Sequence, residues 1–222
     1  MPRTATAKRR PHEIKRQVRR TKRRPSNRQP TRLMTLPIVK YGHPALRKKG
    51  ERVENVTPEI KQLIIEMFAA MEEHHGVGLA AQQVGVAKQI AVIDVRPVTD
   101  RPSTLELNGQ PADPAEIMPL ALINPQITPV GEPVSGAEGC LSFPEVFAEI
   151  SRPELVDVKA LDASGNPIAF RCGGLLARAV QHETDHLNGI LFIDRMDKQT
   201  KGELQPELDE LQTATKEALK KK

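Results

Sequence analysis

The stretch Gln181-His182-Glu183-Thr184-Asp185-His186-Leu187 constrains this chain more than any other. Histidines spaced by four lie one above the other on one face of an α-helix, a turn apart, so their ring nitrogens can converge on one metal ion. Glu183 is one residue round the helix from His182. Its carboxylate can reach the open side of such an ion and move protons to and from a water there. The pattern points to a metal-activated hydrolase. Chance occurrence on a charged amphipathic helix competes with that reading, and the surrounding sequence has to separate the two.

A chain of 222 residues holds one domain with appendages and a single sizeable core. With 3% aromatic residues and no Trp, that core must be mostly Leu, Ile, Val, Met and Ala. The 19 prolines point to many loops and edges. No apolar run approaches the roughly 18 residues of a membrane span, and no charged start leads into an apolar signal segment. A soluble cytoplasmic protein without a membrane partner is expected. Two cysteines, Cys140 and Cys172, are too few for a disulfide framework, and in a reducing compartment the question is whether either binds metal.

The net charge of +5 conceals an asymmetry. Residues 1–34 carry 13 Lys and Arg against one acid, Glu13, a balance of +12; the remainder carries 20 basic and 27 acidic residues, a balance of −7. The arm has few apolar residues and no sustained periodicity, so it is expected to be disordered. Its cations suit RNA phosphates, and ribosomal RNA is a natural target. Arg richness also suits an organelle transit peptide, although Ser is sparse. Met34, just before Leu36-Pro37-Ile38-Val39, would also serve as a start, leaving the arm outside the working protein.

Ordered sequence is expected from Leu36. Tyr41-Gly42-His43-Pro44 reads as a turn in which His43 is a local hydrogen-bonder. Thr57, Pro58 and Glu59 announce a helix by N-cap, first-position proline and first-turn acid. Ile60, Leu63, Ile64, Met67, Phe68 and Met71 give it one apolar face, Gly76 is its expected stop, and His74 and His75 near its end favour the dipole. In Gly76-Val77-Gly78-Leu79-Ala80-Ala81-Gln82-Gln83, two glycines and small alanines allow close backbone approach, but the lysine and third glycine of a phosphate loop are missing. Residues 89–95 and 121–124 read as strands, with a long surface loop over 96–119 between them. Residues 155–162 and 168–172 read as a hairpin across Ala163-Ser164-Gly165-Asn166. Gly173-Gly174 opens the metal helix, whose Leu175, Leu176, Ala179, Val180 and Leu187 make a broad buried surface, and Asn188-Gly189 ends it. Arg178 on that helix is expected to pair with a carboxylate. Residues 203–222 read as a solvated charged helix ending in lysines.

A catalytic metal held by two histidines needs a third ligand and an open position. Glu138-Gly139-Cys140-Leu141-Ser142 offers a thiolate 42 residues before His182. Cys172 competes, but at the end of a predicted strand it is more simply a small buried residue. No further His or Glu follows the helix in the spacing of the common zinc peptidases. Ser142 is a poor nucleophile because no histidine remains to act as its base.

Together the stretches 76–83, 138–142 and 182–186, in that order and spacing, closely resemble the three motifs of peptide deformylase, with similarity from about Leu36 to Met196. The resemblance implies removal of the N-formyl group from the initiator methionine of nascent chains. It implies an α+β fold with antiparallel or mixed sheets packed around a central metal-binding helix. Cys140, His182 and His186 would be the metal ligands, with Fe(2+) the expected ion and Zn(2+), Ni(2+) or Co(2+) as substitutes. The metal would acidify a water that attacks the formyl carbon and would polarise the carbonyl, with Glu183 as general base and then acid. The resemblance assigns the oxyanion donors to the Gln83 side-chain amide and the Leu141 backbone N–H, and lines the peptide with backbone at Gly78. Val77, Leu175 and Ala179 are positions that could wall the methionine pocket. Asp185 and Glu138 could orient ligand rings or serve as structural ion-pair partners.

Three places depart from compact members of that family: the arm, the longer 96–119 segment, and Phe147, which stands where some members have Arg. The expected organisation is a basic arm over 1–34, a catalytic domain over 35–198 and a charged tail over 199–222. The expected partners are formyl-Met nascent peptides and, through the arm or tail, the ribosome; the expected state is a monomer. The ligand set alone also suits a general metallopeptidase or another amidase, and the arm alone an RNA-associated binding protein with a vestigial site.

Overall fold

The computed structural model describes residues 35–221, so the expectations placed on the basic arm lie outside the described residues. Helix α1 (Pro58–Glu73) begins where the capping residues put it, the Thr57 hydroxyl accepting from the Ile60 N–H at 3.4 Å. Its end differs from expectation. His75, at φ 55°, is the left-handed residue, and Gly76 returns its N–H to the Met71 carbonyl at 2.9 Å. That six-to-one bond satisfies an orphan carbonyl of the last turn. Gly76 is needed elsewhere, because a β-carbon on it would stand 2.8 Å from Leu141 Cδ1.

Seven strands follow among the described residues: β1 (Gly78–Ala80), β2 (Ile90–Ile93), β3 (Ser103–Leu107), β4 (Gln110–Ala112), β5 (Leu120–Cys140), β6 (Phe143–Leu161) and β7 (Pro167–Gly173). They form one sheet in the order β1-β2-β5-β6-β7-β3-β4, with every ladder antiparallel. Helix α2 (Gly174–Leu187) packs against β1, β2, β3, β5, β6 and β7, so the α+β arrangement around a central helix is the observed one. Strand β2 is apolar throughout because it is covered twice. Ile90 and Val92 meet α1 through Ile60, Ile64 and Met67, whereas Ile93 joins Leu176 and Val180 of α2.

The segment 96–119 is not the long loop expected of it. It forms β3, β4 and a 3-10 turn over Pro114–Ile117, and β3 pairs with β7 while burying Leu105. Its neighbouring Pro, Asp and Gly obscure a short alternating strand at the sheet's periphery. The strand expected over 121–124 continues to Cys140, and its partner runs back from Phe143 to Leu161. Prolines made that hairpin hard to read. Beyond Gln126, β5 pairs only with β6, and an unpaired edge leaves room for residues without an N–H such as Pro129 and Pro133. The hairpin expected across 163–166 is present as β6 and β7.

The C-terminal segment divides into α3 (Lys198–Glu203) and α4 (Gln205–Lys220). It is less solvated than its composition indicates, since Leu208 is buried among Leu46, Phe143 and Phe192. No helix among the described residues is long and apolar enough to cross a membrane.

Asn124 marks a register shift in β5. At φ 52°, its side chain accepts from the Val53 N–H at 2.9 Å and donates to the Val53 carbonyl at 2.8 Å, closing the segment before α1 onto the sheet. Asn124→Ala strands both buried backbone groups and keeps the unfavourable φ; a loss of roughly 2–4 kcal/mol is expected in denaturant titrations. Asn124→Gly should lose less, because it relieves the φ.

Candidate active site and metal centre

Helix α2 begins at a residue only glycine fits. Gly174 has φ 64°, and a β-carbon there would overlap the Pro102 carbonyl, so the chain turns from β7 into the helix against β3. The helix then delivers Gln181 to Leu187 into the interior, all of them buried. His182 and His186 stack edge to face with ring centroids 5.0 Å apart. The turn between β5 and β6 brings in Cys140, whose Sγ is 3.3 Å from His186 Nε2. One donor atom from each of Cys140, His182 and His186 lies within 4.8 Å of the others. Cys172 is elsewhere, on β7 with its side chain buried in the core, and burial pushes its thiol up to about 12.

The donor set suits a resident metal. A thiolate and two imidazoles are the ligands of an N/S site with an open fourth position. His182 Nδ1 is taken by Glu138 Oε2 at 3.0 Å, which directs its Nε2 away from Glu138 and leaves it available for an ion. Glu138 in turn is held by Arg152 at 2.6 and 2.9 Å and by Arg178 at 2.8 Å. Arg152 continues to Asp185 at 2.8 Å, and Arg195 grips the same carboxylate at 2.6 and 3.1 Å. Burial opposes ionisation of Glu138, but hydrogen bonds from His182 and Arg152 hold its carboxyl well below the usual range. Glu138 is thus both ring-orienting and ion-paired, whereas Asp185 is an ion-pair partner. Arg178 meets a carboxylate, as its place on α2 predicts.

Glu183 sits beside the three donors with Oε2 unpartnered among the described residues. Burial pushes its carboxyl up to about 7. A nearby cation favours the ionised form and works against that shift. Gly78 makes the space for this carboxylate, since a β-carbon on β1 at that point would lie 2.9 Å from Glu183 Cγ and Cδ. Gln83 is fixed by its own carbonyl, which accepts from the Ala80 N–H at 2.7 Å, so its amide NH2 points at Cys140 Sγ, 3.4 Å away. Leu141 lines the same cavity.

That cavity has a volume of about 620 Å³ and opens to solvent. Val77, Leu175 and Ala179 form part of its wall, together with Gln83, Cys140, His182 and Glu183. Phe147 stands at it opposite Gly139, its cross-strand partner, with 66% of the residue exposed. The cavity also includes Lys40, which the sequence did not single out. Arg152 was missed as well. Its signal is legible in retrospect, for it continues the inward phase of Val146, Ala148 and Ile150 along β6, where a charged residue needs a buried partner.

A family model described as polypeptide deformylase matches residues 35–202. The chain belongs to that family. A peptide deformylase of Opitutus terrae is 43% identical over 189 residues, covering 84% of this chain and 98% of that relative. One from Zymomonas mobilis is 42% identical and covers 78% of this chain and 92% of its own. Among solved structures, a Synechococcus elongatus peptide deformylase in complex with actinonin aligns with a TM-score of 0.64 at 37% identity, covering 81% and 85% of the two chains. An Arabidopsis thaliana peptide deformylase 1B in complex with an inhibitor aligns with a TM-score of 0.70 at 35% identity, covering 82% and 92%. Membership makes the chain a metal-dependent hydrolase, a peptide deformylase with a role in protein biosynthesis.

Two outcomes test the geometry. Arg152→Ala leaves two buried carboxylates each short of a partner; with Arg178 and Arg195 still present, the loss in stability should be about 3 kcal/mol, the lower end for breaking a buried pair. Gly78→Ala should displace the Glu183 carboxylate, abolishing turnover while metal analysis still finds one bound ion per chain.

Proposed function

We propose that this deformylase removes the formyl group from the initiator methionine of nascent peptides, with Cys140, His182 and His186 as metal ligands and Glu183 as the proton-transfer group. The observation that carries this reading is an unpartnered, buried Glu183 carboxylate beside a convergent S/N/N donor set, inside a cavity with an apolar wall. A bound divalent ion supplies Lewis acidity to the formyl carbonyl and lowers the pKa of water at the site. Glu183 takes the proton of the attacking water at its free oxygen and passes it to the departing amine. The Gln83 amide, already oriented through Ala80, and the Leu141 backbone N–H receive the negative charge that develops on the formyl oxygen, each donor contributing about 3 kcal/mol in comparable sites. Val77, Leu175 and Ala179 wall the space for the methionine side chain, and backbone at Gly78 runs beside the peptide.

Iron is the metal we assign, with Zn(2+), Ni(2+) and Co(2+) as functional substitutes. A thiolate donates more charge than imidazole and leaves the ion a weaker acid, which throws more of the work on Glu183. We place the protein in the cytoplasm as a monomer with a catalytic domain over 35–198. The exposed large apolar side chains among the described residues, Ile65, Val134, Phe147 and Leu219, fall on four different elements. That scatter supports the monomer assignment, since an obligate interface presents contiguous apolar surface. The basic arm and the lysines near the end of α4, Lys216, Lys220 and Lys221, are the surfaces we assign to ribosomal RNA.

The deciding experiment is hydrolysis of formyl-Met-Ala-Ser by anaerobically prepared protein of known metal content, beside Glu183→Gln. The parent should turn over, and the isosteric amide should retain the metal while losing roughly 100- to 10,000-fold in kcat. Metal bound in both without deformylation by either would send the assignment to other amides. Chelation should abolish activity, and anaerobic Fe(2+) should restore it. In air the iron form should decay as the metal cycles and Cys140 oxidises.

A further inference from the structure

The segment just after the basic arm touches the site at three consecutive residues. The Val39 N–H donates to the Gln83 carbonyl at 2.8 Å. The Lys40 ammonium donates to the Leu141 carbonyl at 2.8 Å, and the Tyr41 N–H donates to the Ser142 carbonyl at 2.9 Å. The Tyr41 ring then stacks on Phe143 with centroids 4.8 Å apart. One short piece of chain therefore grips both the turn that carries Gln83 and the turn that carries Leu141. These belong to different parts of the fold, the 3-10 turn Ala81–Val84 and the tip of the β5–β6 hairpin, and no ladder joins them.

Two of the three contacts are made by backbone, which any sequence can supply. The third depends on a side chain. Lys40 is half-buried, lines the active-site cavity, and spans from residue 40 to residue 141 with a single charge-assisted bond. The tip it holds has only Leu141 and Ser142 between paired Cys140 and Phe143. The Leu141 N–H lies in the peptide unit just before that carbonyl, between the paired Cys140 and the held carbonyl. The pair on one side and Lys40 on the other therefore narrow the φ and ψ that Leu141 can adopt, and with them the aim of its N–H.

We infer that Lys40 is a positioning residue for deformylation, acting through Leu141 to set the spacing and aim of the two oxyanion donors. This rests on the proposed assignment of those donors to Gln83 and Leu141. An oxyanion donor matters most when charge has developed, so a donor displaced by a few tenths of an ångström costs transition-state stabilisation and little substrate binding. The expected signature is a fall in kcat at nearly constant KM.

The test compares Lys40→Met and Lys40→Arg in the full metal-loaded chain. Methionine keeps the apolar stem and removes the donor; arginine keeps a charged donor. Lys40→Met should lower kcat for formyl-Met-Ala-Ser about 10-fold, less than deletion of a whole donor, with KM, metal content and Tm close to the parent. Its affinity for a peptide bearing a tetrahedral phosphonate in place of the formyl group should weaken by a similar factor, while binding of the product Met-Ala-Ser holds. Lys40→Arg should recover most of both losses. The inference is overturned if Lys40→Met keeps kcat within about twofold of the parent, or if its loss is matched by a rise in KM, a drop in metal content or a lower Tm. Parent turnover and its loss in Glu183→Gln report separately on the deformylase reading.

Discussion

Helix α2 buries His182, Glu183, Asp185 and His186 in the middle of the sheet, and the surrounding structure must make that burial tolerable. Unpaired charges in such a place cost several kcal/mol each. The cost is offset by the chain of Glu138, Arg152 and Asp185, which joins the helix to both strands of the long hairpin, with Arg178 and Arg195 closing the two ends. The same network fixes the orientation of the His182 ring, so the residues that stabilise the buried helix also aim one of the three convergent donors.

This arrangement explains the hairpin's length. Strands β5 and β6 must reach from the core beside β2 out to Cys140 and back, because the thiol has to arrive at the side of α2 that faces the cavity. Arg152 comes with it on the inward phase of β6, and Glu138 sits two residues before the cysteine on β5. One register, Val134 opposite Arg152 and Glu138 opposite Ala148, places the ring-orienting carboxylate and the cation that holds it, and the irregularity between Gly139 and Cys140 carries the chain into the tip where the sulfur sits. A slip of one residue between the two strands would put Glu138 and Arg152 on opposite faces.

The other side of the cavity is set by absence of side chains. Gly76 gives room to Leu141 and Gly78 to the Glu183 carboxylate, so β1 can lie against the helix closely enough for Gln83 to face Cys140. The segment Val39–Tyr41 then ties the Gln83 turn to the Leu141 turn. Among the buried carboxylates of the described residues, Glu183 keeps an oxygen without a hydrogen-bond partner.

The amino-acid sequence by itself determined the elements whose signals are local. Helical spacing put His182 and His186 on one face, capping chemistry started α1 at Thr57, and turn residues placed the β6–β7 hairpin. The joint order of three motifs identified the family, and with it the fold and the chemistry. Tertiary structure decided what depends on pairing between distant residues. The reach of β5, the strands within 96–119, and the roles of Arg152, Arg195 and Lys40 depend on partners elsewhere in the fold, 10 to 101 residues away for the three side chains. A proline-bearing strand looks like a loop until its free edge is known, and an arginine looks like surface until the carboxylates that neutralise it are in view. Charge burial and edge pairing are properties of the assembled sheet, so no window of sequence contains them.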